Sequence, residues 1–154
     1  MLVNVTENLD LKASQSDVWR LLRDTQRLAA LIPGVESVSK IEEAERESHA
    51  GVVTEKVGPF KVTLNLEVEF TEIVEASFLK GSVKGHDKHK LSRATGTISV
   101  TLTSTAGNTQ MQFEVAVEVL GKLATLGATV IRRRINDLFG EFARRFESEF
   151  GVAA

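Results

Sequence analysis

The chain has 154 residues, 42% hydrophobic and 26% charged, which is enough for one substantial core and too short for two ordinary domains, so residues 1–154 read as one unit. A formal charge of −2 argues against a nucleic-acid partner, and the lack of cysteine excludes disulfides, thiolate nucleophiles and Cys-ligated zinc. No stretch approaches the roughly 20 apolar residues of a membrane span, and no secretory leader opens the chain; a cytoplasmic protein with at most peripheral membrane contact is expected.

In chain order, Val3, Val5, Leu9 and Leu11 fall at odd positions between polar residues, the period of a strand with one buried face. Ser14 then stands before Asp17-Val18-Trp19-Arg20-Leu21-Leu22, and Asp24 before Arg27-Leu28-Ala29-Ala30-Leu31. Each is an N-cap whose side-chain oxygen can accept from an orphan backbone N–H, so two short helices follow the strand. Pro33-Gly34 stops them.

From Val35 to Leu120 the spacing predicts six strands, with turns at Gly58-Pro59, Lys84-Gly85-His86-Asp87 and Ala106-Gly107-Asn108. The clearest strand puts Phe60, Val62, Leu64, Leu66, Val68 and Phe70 on one face; the last does the same with Met111, Phe113, Val115, Val117 and Val119. A sheet apolar on one face and wet on the other is built from antiparallel pairs. From Gly121 to Phe150 apolar residues recur by threes and fours, which predicts one long helix whose stripe shifts around the axis between its halves, with Gly127 and Gly140 able to bend it. Sheet face and helix stripe must bury each other, giving an α+β two-layer fold in the order β-αα-β6-α.

Carrying the alternation through the middle strands points several very small residues inward, opposite aromatic residues of the helix. The expected cavity wall is Leu64, Leu66, Leu79, Gly81, Ala94, Gly96, Ile98, Phe113 and Val115 on the sheet, with Ile131, Leu138, Phe139, Phe142 and Phe146 on the helix. Leu31, Ile32, Pro33 and Phe60, at turns, are expected at its mouth. The alternative is that Gly81 and Gly96 mark bulges or close packing.

Glu55 shares parity with Val53 and Val57; facing inward, it could hydrogen-bond the polar head of a ligand or titrate with a raised pKa. It could equally lie at the sheet rim, or Val52, Thr54 and Lys56 could be the inward face. His86 and His89 lack a third convergent ligand and are flanked by Lys88 and Lys90, so a solvated turn is expected rather than a metal site. His49 stands alone at the start of a strand. Arg132-Arg133-Arg134 and Arg144-Arg145 point in different directions on a helix, so solvated heads over packed stems are expected. No acid–base pair or nucleophile elbow is visible, and neither catalysis nor a cofactor is expected.

The ordered phrases Leu31-Ile32-Pro33-Gly34-Val35, Lys56-Val57-Gly58-Pro59-Phe60, Ala94-Thr95-Gly96 and Gly121-Lys122-Leu123-Ala124-Thr125-Leu126-Gly127 resemble the CoxG family of carbon monoxide dehydrogenase subunits, part of the START (SRPBCC) superfamily, over nearly the whole chain. The resemblance implies a helix-grip fold, a curved seven-stranded antiparallel sheet with two short helices and a long C-terminal helix, around an apolar cavity. It also implies a non-catalytic accessory of a molybdenum hydroxylase such as carbon monoxide dehydrogenase. Such a protein would carry a quinone or lipid, or recruit the enzyme to the inner face of the membrane. Some members carry a C-terminal extension to the membrane; only Gly151-Val152-Ala153-Ala154 follow the helix here, so a soluble carrier is expected. Two other readings are an assembly module with a collapsed pocket and a START-type cyclase or dehydratase. A filled core would favour the former, convergent polar groups with shifted pKa values inside a cavity the latter.

Overall fold

The computed structural model describes residues 1–151; residues 152–154, on which the expectation of a chain without an anchoring tail rests, lie outside the described residues. Strand β1 (Leu2–Leu11) leads into helices α1 (Gln15–Arg23) and α2 (Thr25–Ala30). Then come β2 (Val35–Lys40), β3 (Ser48–Val57), β4 (Phe60–Val74), β5 (Phe78–His86), β6 (Ser92–Thr105) and β7 (Asn108–Gly121). A short 3-10 turn, Lys122–Leu126, precedes helix α3 (Ala128–Ser148). The seven strands form one antiparallel sheet in the order β1-β7-β6-β5-β4-β3-β2, the α+β helix-grip arrangement that the alternation implied.

Local chemistry sets the helix starts. Ser14 Oγ accepts from the Asp17 N–H at 3.2 Å, and Asp24 Oδ1 accepts from the Arg27 N–H at 3.2 Å, so each short helix has a satisfied first turn. In β1 the inward residues Val3, Val5, Leu9 and Leu11 are all buried.

Two expectations need correction. The turn placed at Lys84-Gly85-His86-Asp87 falls later, because β5 runs through His86 and Asp87 ties the turn to Ser92. The Asp87 N–H donates to the Ser92 carbonyl at 3.2 Å, and the Ser92 N–H donates to Asp87 Oδ1 at 3.1 Å. The helix expected from Gly121 begins only at Ala128. Gly121 (φ +82°) ends β7 and Gly127 (φ +96°) separates the 3-10 turn from α3, and helical backbone does not accommodate positive φ.

Packing divides the molecule into two halves. Beside β1, β7 and β6, the core is dense: Leu11, Leu21, Met111 and Phe146 are all but inaccessible. The C-terminal half of α3 packs there, with the Phe142 ring 5.6 Å from Phe113 and 5.8 Å from Phe146. Beside β3, β4 and β5 the inward residues Val53, Val62, Leu64, Leu66 and Val68 are only half-buried. There the sheet curls away from the N-terminal half of α3 instead of packing on it.

Candidate functional site: an apolar cavity with two buried polar corners

The curl leaves a cavity of about 340 Å³ between the sheet and the first half of α3. Its walls are aliphatic: Val35 and Val38 from β2, Val53 and Val57 from β3, Val62, Leu64, Leu66 and Val68 from β4, Val83 from β5. The floor continues through Ala94, Gly96 and Ile98 of β6 and Val115, Val117 and Val119 of β7, and Ile131, Ile135, Leu138 and Phe139 of α3 form the roof. A larger hollow of about 700 Å³ lies on the opposite sheet face, lined by polar groups such as Ser37, Asn65, Glu67 and Lys84. A surface that is already well hydrated gains little by covering, so the apolar cavity is the stronger candidate.

Of the residues expected on the wall, Leu64, Leu66, Ala94, Gly96, Ile98, Val115, Ile131, Leu138 and Phe139 line the cavity, and Ile32 stands at its edge, partly in solvent. Leu79, Gly81, Phe113, Phe142 and Phe146 do not line it. Leu79, Phe113 and Phe146 are buried in the dense half, and Phe142 packs against it. Gly81 is covered by side chains from β4, where a Cβ would sit 3.2 Å from Val68 Cγ1 and 3.3 Å from Phe70 Cδ1. Leu31 packs against the core, Pro33 is buried, and Phe60 is 48% exposed at the hairpin tip, so these three lie off the lining.

Glu55 lies on the cavity wall, paired with Arg134 from α3. Its carboxylate fits because Gly34 lacks a side chain: a Cβ there would lie 2.8 Å from Glu55 Oε1 and 2.6 Å from the Thr54 carbonyl. Arg134 sits three residues after Ile131 and four before Leu138, within the apolar stripe, which is why one of three consecutive arginines turns inward. Its Nε is buried without a partner among the described residues.

The second corner is His49, on the same inward face of β3 as Gly51, Val53 and Glu55. Nε2 lies 2.9 Å from Glu47 Oε2 and 3.4 Å from Thr25 Oγ1, and the ring meets Phe70 edge-on at 5.7 Å. Arg23 donates to Glu47 Oε1 at 2.5 Å and lies over the Phe70 ring. Burial alone would raise the Glu47 carboxyl, but the hydrogen bonds from Arg23 and His49 and their positive charge outweigh it and hold it below the usual carboxylate range. His49 Nδ1 is buried with no partner among the described residues. Neither His49 nor Arg134 was expected at the site, yet parity with Glu55 and helical spacing from Ile131 were the signals that place them. His86, by contrast, ends β5 beside the Asp87 carbonyl, and no three His, Asp or Glu groups converge as metal ligands among the described residues.

A curved antiparallel sheet gripping a long C-terminal helix around an apolar cavity defines a START-like helix-grip protein. Solved structures agree on the fold. A conserved Geobacillus kaustophilus protein superimposes with a TM-score of 0.82 at 22% identity, over 96% of this chain and 94% of that one. A START superfamily protein from Mycobacterium smegmatis gives 0.69 at 10% identity, over 96% of each chain. A search of curated proteins found no match. The family model for CoxG, a subunit of carbon monoxide dehydrogenase, matches residues 8–151, and the chain belongs to that family.

Proposed function

We propose that this protein is a non-catalytic accessory of a molybdenum hydroxylase of the carbon monoxide dehydrogenase type, and that it carries a hydrophobic molecule, a quinone or a lipid, in the cavity between sheet and α3. The observation that carries the reading is the aliphatic wall, roofed by α3 and half-buried where the rest of the sheet is tightly packed. Apolar surface left in contact with water is costly at roughly 25 cal/mol per Å², and a ligand that covers it gains that amount. A filled interior would have favoured a pure assembly module; the cavity supports carriage. The family name supports the choice of partner enzyme. No described helix is long and apolar enough to cross a membrane, so this reading needs no spanning segment.

Native mass spectrometry of the purified protein, before and after addition of a short-chain quinone and of a fatty acid, tests the reading. Adducts of one-to-one stoichiometry are expected. Failure to retain any apolar molecule, either co-purified or added, would sink it.

A further inference from the structure

Buried polar side-chain atoms almost always have a partner, because an unmet donor or acceptor forfeits its hydration without return. Among the described residues two such atoms lack one, His49 Nδ1 and Arg134 Nε, and both residues belong to the wall of the same apolar cavity. Two orphans on one aliphatic wall are expected where a ligand supplies the missing partners. Arg134 already neutralises Glu55, and a third of its side chain meets solvent. His49 is nine-tenths buried, so the sharper requirement is at its Nδ1.

The cluster behind His49 decides what Nδ1 can accept. Arg23 holds the Glu47 carboxylate ionised, and that carboxylate takes the Nε2 proton at 2.9 Å. In the neutral ring the remaining lone pair is then on Nδ1, which makes it an acceptor. The Phe70 edge contact and the Thr25 hydroxyl fix the ring plane. His49 and Glu55 are six residues apart on one strand, about 20 Å at the usual rise per residue, so the two polar corners mark an elongated site.

We propose that the cavity selects an elongated apolar molecule bearing a hydroxyl group, and that this hydroxyl donates to His49 Nδ1 while Glu47 and Arg23 position the ring. The assignment rests on the carrier reading and narrows it to a hydroxyl-bearing class, phenols and alcohols, the reduced form of a quinone among them. A hydrocarbon or methyl ether of equal shape leaves Nδ1 unmet.

The test is calorimetric titration of the full chain with 4-hexylphenol and with 4-hexylanisole, which differ by capping the hydroxyl with a methyl group. The phenol is expected to bind about tenfold more tightly although the ether is the more apolar, a buried hydrogen bond being of that order. In His49→Phe, which keeps an aromatic ring beside Phe70, the preference should vanish while the ether binds as before. In the unmutated protein the ¹⁵N resonance of His49 Nδ1 should move on adding phenol and stay still on adding ether, a readout that stands even if the variant fails to fold. Equal affinities in the unmutated protein, an undiminished preference in His49→Phe, or an unmoved Nδ1 resonance would each overturn the assignment and leave carriage intact. If neither probe binds, the carrier reading falls and this assignment with it.

Discussion

A Cβ at position 96 would collide with the Ala116 carbonyl oxygen and come within 2.9 Å of the Val117 Cα, both backbone atoms of β7. Gly96 is therefore required by the close approach of two strands, although it also lines the cavity, and a larger residue there would push β6 from β7 before it filled any space. Glu47 makes the complementary point about charge. Its folded pKa lies below its unfolded value of about 4.3, so its ionic contribution to stability is present at higher pH and is lost as pH falls through the folded value. Glu47→Gln should lower Tm at pH 7, and the gap to the unmutated protein should narrow as the pH is taken below about 4.3. Thermal melts followed by circular dichroism from about pH 7 to about pH 3 check this, and a gap that stays constant with pH would contradict the assignment of the stabilisation to the ionised carboxylate.

Helix α3 belongs to both halves of the molecule, and its two ends should respond differently to truncation. Phe146 is inaccessible and surrounded by Phe142, Phe150 and the core, so Phe146→Ala should cost about 3–5 kcal/mol in urea unfolding. Leu138 faces the cavity, where fewer atoms touch it, and Leu138→Ala should cost less than about 2 kcal/mol. Comparable losses at the two positions would mean that the cavity is as well packed as the core. The shift of the apolar stripe along this helix was legible in the sequence, as were the strand order and the inward faces. The break at Gly127 was not, because glycine permits positive φ without declaring it. Arg134 was hidden for another reason: in a run of three arginines, charge outweighs position, and only the register of Ile131 and Leu138 tells which one turns inward.

For the molecule as a whole, periodicity determines which faces meet but not how closely, since alternation is the same in a packed sheet and in one that curls away. That is why Leu79, Phe113 and Phe146, inward by pattern, were assigned to a cavity that in fact lies toward β3, β4 and β5. The division into a packed half and an open half has a thermodynamic signature. A ligand that binds only the folded protein stabilises it by about 2.7 kcal/mol at a hundredfold excess over Kd. For a chain of this size that corresponds to a rise in Tm of roughly 5–10 °C. Val53 faces the cavity opposite Leu64 on the neighbouring strand, so Val53→Phe can extend into open space without touching the β6–β7 seam. The variant should fold and melt cooperatively, yet show no rise in Tm with 4-hexylphenol where the unmutated protein shows the full one. An equal rise in both proteins, read by differential scanning calorimetry, would place the bound molecule elsewhere on the surface.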